Sequence, residues 1–169
     1  YDELVSLRDI GMELHVVEDG DTFEQNAVKK AREAARVAGC DALADDSGLC
    51  VEALGGAPGV YSARYSGENA TDEENNEKLL SALKGEADRR AKFVSVVALV
   101  SGDAVTTAYG EVEGVIVQAP SGHGGFGYDP LFYVPELGQT FAEIPAELKN
   151  TLSHRARALA ALRDKLSVG

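Results

Sequence analysis

Residues 42–49 read Ala-Leu-Ala-Asp-Asp-Ser-Gly-Leu. An apolar run enters two adjacent carboxylates, then a hydroxyl and a glycine. Adjacent like charges repel, and Asp and Gly are poor strand formers. The pair calls for compensation by solvent, a backbone turn or a cation. The composition predicts a strand from residue 40, a turn at Asp45-Asp46-Ser47-Gly48, and a second strand in residues 49–54, LCVEAL.

The segments on either side organise around that stretch. Upstream, residues 3–17 mix short apolar alternation with a glycine, which predicts a strand near residues 4–7 and then a loop. Asp21 or Thr22 can cap a helix with Glu24 or Gln25 in its first turn. Ala27, Ala31, Ala34, Ala35 and Ala38 give that helix one small-residue face, and Gly39 ends it. Downstream, residues 55–67 are a turn-rich Gly/Pro loop. Thr71-Asp72-Glu73-Glu74 forms a capping box opening a helix through Leu83 that stops at Gly85. Residues 90–101 are β-rich and long enough for a buried strand, and 104–117 alternate as its hairpin partner. Residues 119–130 are a second Gly-rich loop, followed by a short strand in LFYVP. A single closing helix is expected over 146–166. Strands and helices interleave, so the class is α/β.

The chain has 169 residues, 44% hydrophobic and 26% charged, with net charge −12. One compact domain over 1–169 is expected, with room for two lobes. The acidic balance argues against a nucleic-acid polymer as partner. It leaves room for a small anionic substrate, because a bound divalent cation inverts the local field. No apolar run is long enough to span a bilayer, and the first residues carry no signal-peptide core. Cys40 and Cys50 lack metal spacing and read as buried thiols of a reducing, cytoplasmic setting.

Four polar clusters could carry chemistry. Glu18-Asp19-Gly20-Asp21 precedes a helix, and Asp45-Asp46-Ser47-Gly48 follows a strand. Hard oxygen donors in such places suit Mg²⁺, which takes one or two carboxylates and leaves its other positions to water and phosphate. Each cluster taken alone reads first as a cap or a solvated turn. A calcium loop starting at Asp19 fails, because its twelfth position is Lys30. The third cluster is GHGGFGYDP, where glycines flank Phe126 and let backbone approach a ligand while a ring is presented. The fourth is Lys149-Asn150-Thr151-Leu152-Ser153-His154-Arg155, a hydroxyl, an imidazole and a guanidinium in succession that can read the polar edge of a base. Neither glycine stretch is a P-loop or a dinucleotide fingerprint. His15 and His123 have no ligand spacing, and a Ser–His–Asp hydrolase lacks its GxSxG elbow.

In their order and spacing, TFEQNAVKKAR, ADDSGLCVEALGGAPGVYSARYSG, GGFGYDPLF and KNTLSHRARAL resemble the inosine triphosphate pyrophosphatase family, from about Glu18 to Leu162. The resemblance implies a mixed, bent central sheet with flanking helices in two lobes around a groove, and a homodimer. It implies hydrolysis of ITP, dITP and XTP between the α and β phosphates, cleansing the nucleotide pool. Asp46 would be the catalytic carboxylate, and Glu18 and Asp46 would hold Mg²⁺. A metal and its water shell would then compensate the Asp pair, with Asp45 orienting the turn or supporting the metal site. Lys30 would reach the phosphates and Ser47 would touch the substrate. Phe126 would stack on the purine, with Gly127 and Tyr128 shaping the wall. Asp129, Lys149, Ser153, His154 and Arg155 would read the polar edge. A 6-keto purine offers an acceptor to Arg or Lys, whereas the adenine 6-amino group would face buried donors.

Members of that family begin with a strand, a Ser/Thr-x-Asn-x-x-Lys loop that binds triphosphate, and a helix. Residues 1–17 match none of these, so the chain is expected to lack them. Two other readings stand beside the pyrophosphatase: a nucleotide-binding protein or fragment without catalysis, and a related enzyme acting on modified pyrimidine or other triphosphates.

Overall fold

Helix α1, Phe23–Ala38, starts and stops where its signals place it. Thr22 is the cap, its hydroxyl accepting from the Gln25 N–H at 3.1 Å, and Gly39 closes the helix in a left-handed conformation (φ 68°). The computed structural model describes residues 3–168. Within them no strand forms at residues 4–7; the chain makes a turn at Leu7–Gly11 instead, because nothing pairs with so short an apolar run. No helix among the described residues is long and apolar enough to cross a membrane.

The stretch at residues 42–49 does not turn. It is the centre of one strand, β1, Ala42–Val51. The chain leaves it through a short 3-10 turn at Glu52–Leu54, so the expected second strand is the second half of the first. β1 pairs antiparallel with β2, Arg90–Ser101, in a register that sets Asp45 opposite Val97, Asp46 opposite Val96 and Ser47 opposite Ser95. Side chains alternate across a strand. Asp45 and Asp46 therefore project to opposite faces of the sheet, which removes the conflict that argued for a turn.

β2 pairs with β3, Ala104–Ile116, as expected from their alternation. β4, Phe132–Val134, and β5, Gln139–Thr140, complete a five-strand sheet in sequence order. Every pairing among the described residues is antiparallel. With helices on both faces, the class is α/β as read. α2, Asp72–Ala82, is capped by Thr71, and a 3-10 turn at Gly59–Arg64 lies in the Gly/Pro loop.

Three packed clusters divide the molecule. On one face, Ala27 and Ala31 of α1 lie against Val96, Ala98 and Val100 of β2; small side chains let the helix approach closely. On the other, Ala158 and Leu162 of the last helix cover Val97 and Ala108. Beyond them, Leu49, Phe93, Phe132 and Phe141 fill the largest cluster, with Phe93 and Phe132 centroids 4.5 Å apart. Each such fully buried ring contributes roughly 1.5–3 kcal/mol. Asp46, Ser47 and Ser95 sit on the strands between these clusters.

The closing helix is two helices. α3 spans Ala146–Leu152 and α4 spans His154–Val168. Ser153 breaks them with an extended backbone (φ −66°, ψ 160°). Its hydroxyl accepts from the Ala156 N–H at 3.1 Å, so it caps α4. The start of α4 rests directly on Gly110 of β3, where a Cβ would meet the His154 and Ala158 backbone.

Candidate active site

A cleft of about 840 Å³ runs from α1 across β1 to the 119–130 loop and the α3–α4 break. It gathers Lys30, Asp46 and Ser47 at one end and Phe126, Lys149 and His154 at the other.

The first end is built from α1 and β1. Asn26 and Lys30 are one helical turn apart and so share a face. Asn26 Nδ2 donates to Asp46 Oδ2 at 3.0 Å, while its Oδ1 accepts from the Gly20 N–H at 2.8 Å. Lys30 Nζ lies 2.6 Å from Glu18 Oε1 and 3.9 Å from Asp46 Oδ1. The Arg64 guanidinium holds the Glu18 carbonyl at 3.0 Å. Burial pushes the Asp46 carboxyl above the usual carboxylate range, against the Asn26 hydrogen bond and the Lys30 charge, which pull it down. Asp46 is therefore a stronger base than a surface carboxylate. Glu18 and Asp46 bracket one ammonium, a donor set that suits a hard divalent cation completed by water and phosphate oxygens. Among the described residues no group of three or more His, Cys, Asp or Glu forms a closed metal cage.

Asp45, on the other face, is compensated differently. Its Oδ2 accepts from Arg155 Nε at 2.7 Å, and the Ser47 hydroxyl lies 3.2 Å from the same oxygen and 3.0 Å from Ser95 Oγ. The Asp pair is thus neutralised by protein cations from two different helices. Asp45 lies within β1 and orients no turn.

The second end rests on loops. Phe126 is 64% exposed, its ring 4.6 Å from Lys149 Nζ. Lys149, on α3, is ion-paired with the buried Asp129. Asp129 Oδ2 also accepts from the Phe126 N–H at 3.0 Å, so this carboxylate ties the loop to α3. Tyr128 is buried and donates its hydroxyl to the Ser62 carbonyl at 2.6 Å, forming wall. The Gly127 backbone is held by Asp72 and Asn76 of α2.

His154 stacks on Phe93, with centroids 4.9 Å apart and planes 14° apart. Its Nδ1 is buried without a protein partner. Burial, reinforced by the charges of Arg155 and Lys149, pushes its pKa down to about 4, so the imidazole is neutral at pH 7. The neutral ring lines the same cleft as the exposed Phe126 ring.

Every expected residue except Glu18 lines this cleft. Glu18 stands behind Lys30, and Ser153 acts first as a helix cap. Asn26, the Asp45–Arg155 pair and Arg64 were not singled out from sequence. Only Asn26 left a signal: a polar residue one turn before Lys30 and adjacent to the alanine face of α1.

The family model described as the Ham1 family matches residues 1–165. The chain is 58% identical over 96% of its length to a dITP/XTP pyrophosphatase of Geobacter sulfurreducens, covering 83% of that protein. It is 54% identical over 98% of its length to a dITP/XTP pyrophosphatase of Thermus thermophilus, covering 81% of it. Among solved structures it superposes on the Staphylococcus aureus Ham1 protein with a TM-score of 0.90 at 44% identity, over 98% of this chain and 87% of that one. The chain belongs to the Ham1 family.

Proposed function

We propose that this chain hydrolyses non-canonical purine nucleoside triphosphates, dITP, ITP and XTP, to the monophosphate and pyrophosphate, and so cleanses the nucleotide pool. One observation carries the reading: a single cleft has a buried carboxylate and an ammonium at one end, and an exposed aromatic with cations and a neutral imidazole at the other. A triphosphate and a base need those two chemistries in one cleft.

Water attacks the α-phosphorus. The new O–P bond forms as the bond to the bridging oxygen breaks, pyrophosphate leaves, and the water proton passes to the Asp46 carboxylate. Lys30 acts as a point charge on the phosphates, and its partner Glu18 keeps it aimed into the cleft. Mg²⁺ held by Glu18 and Asp46 would supply charge neutralisation on the phosphate oxygens. Ser47 lines the path between the ends. Phe126 stacks on the purine, with Gly127 and Tyr128 as wall. Lys149 and Arg155 donate to the 6-keto oxygen, and His154 faces the ring edge. Asp129 and Ser153 hold these groups in place. The reading carries a homodimer as the assembly, tested by light scattering, and the cytoplasm as the location.

The test is incubation with ITP, XTP and ATP and Mg²⁺, measuring pyrophosphate and orthophosphate separately. Pyrophosphate from ITP and XTP, with ATP far slower, is the expected result. Tight nucleotide binding without turnover would establish a binding protein instead.

A further inference from the structure

Phe126 presents its ring to the cleft, yet the ring is largely exposed and, among the described residues, its one aromatic-face partner is Lys149. Packing therefore does not set its position; the backbone beneath it must. That backbone is gripped from an unexpected side. Asp72 Oδ2 accepts from the Gly127 N–H at 2.9 Å, across 55 residues of sequence. Asn76 Nδ2 donates to the Gly127 carbonyl at 3.2 Å, across 51 residues. Both polar groups of one residue are taken by one helix, from positions a single turn apart.

We infer that Asp72 and Asn76 of α2 are positioning residues that clamp Gly127 and thereby set Phe126 for base stacking. The inference rests on the functional reading above. Asp72 is free for this task because Thr71 already caps the helix, accepting from the Glu74 N–H at 3.1 Å. Its carboxylate also sits in the first turn of α2, where negative charge is favoured. Asn76 turns its amide nitrogen to Gly127 while its own Oδ1 stays buried without a partner. A side chain kept for surface solubility would not be held in that way. Gly127 itself is left-handed (φ 61°), a conformation that L side chains rarely adopt. The clamp thus holds both peptides that flank Gly127, the first of which joins it to Phe126. The Phe126 N–H bond to Asp129 secures the other side of the ring.

The test compares Asp72→Ala, Asp72→Asn and Asn76→Ala in the whole protein. Amide hydrogen exchange across residues 122–129 reads the clamp without any need for turnover. KM and kcat for ITP read its consequence. Asp72→Ala is expected to accelerate exchange in that segment and to raise KM roughly threefold to tenfold, with kcat within about twofold. Asp72→Asn keeps an acceptor oxygen and is expected to restore both. Asn76→Ala is expected to show the smaller effect, since Asp72 remains. Unchanged exchange in Asp72→Ala would overturn the inference. So would Asp72→Asn behaving like Asp72→Ala, which would assign the effect to charge and not to the hydrogen bond. A wild-type protein that released no pyrophosphate from ITP would overturn the functional reading, and the exchange data would then decide the clamp by themselves.

Discussion

The two ends of the cleft are made in opposite ways. The Asp46 end stands on regular structure: a strand inside a sheet, a long helix with Thr and Gly caps, and Asn26 and Lys30 on adjacent turns of that helix at 3.0 and 3.9 Å from the carboxylate. The Phe126 end stands on a glycine loop, a helix break and side chains borrowed from α2 and α3. The first end suits chemistry that needs one unvarying geometry and a buried, strengthened base. The second suits recognition, where a ring must be displayed and its support can lie far away in sequence. Damage to the first should appear in kcat, and damage to the second in KM.

The sharpest test of that contrast is Asp46→Asn. It keeps the shape and removes the carboxylate proposed as base, so kcat for ITP should fall about 10²–10⁴-fold. Thermal stability should not fall with it, because a carboxylate whose ionisation burial opposes is replaced by a neutral amide. A loss of fold in place of a loss of rate would contradict the assignment.

His154 gives a pH signature to the recognition end. Its folded pKa, about 4, lies below the ordinary 6.5. The unfolded chain therefore binds the extra proton between those values. Stability from this residue is complete above about pH 6.5 and is lost as pH falls towards about 4, by about 3 kcal/mol from a shift of that size. The raised carboxyl of Asp46 acts with the opposite sign, gaining stability as pH falls. Denaturant unfolding at stepped pH should show a shallower acid slope for His154→Gln than for the parent protein. Equal slopes would remove the buried neutral imidazole from the account.

Phe126→Ala should cost about 1–3 kcal/mol of base stacking, read as a KM increase of roughly fivefold to 150-fold, with little change in melting temperature. A stability loss of core size would mean the ring is packed and not displayed. Ser153→Ala should be the mildest change, about 1 kcal/mol of stability from the lost α4 cap, seen in denaturant midpoints. Ser153→Asp or Ser153→Asn should recover it.

The contrast also marks what was legible in the sequence. α1, α2, β2 and β3 follow from caps and periodicity, because their determinants lie within a few residues. The Asp45-Asp46 stretch reads as a turn because Asp and Gly disfavour strands. The partners that overrule that preference are Arg155, 110 residues away, and Asn26, 20 residues away on a helix. The 146–166 segment reads as one helix because its apolar spacing is continuous across Ser153. A hydroxyl that can cap is visible there, but its choice to cap depends on α4 settling onto Gly110. Most of the residues that line the cleft were legible as ordered motifs. Their division between faces was not, since it depends on strand register.

Hydrolysis of ITP in ¹⁸O-labelled water tests the central claim most directly. Attack at the α-phosphorus, with Asp46 as base and a purine held by Phe126, puts the label in the inosine monophosphate and leaves the pyrophosphate unlabelled. Label in the pyrophosphate, or release of orthophosphate in its place, would mean that the water attacks elsewhere and that the cleft is read in the wrong direction.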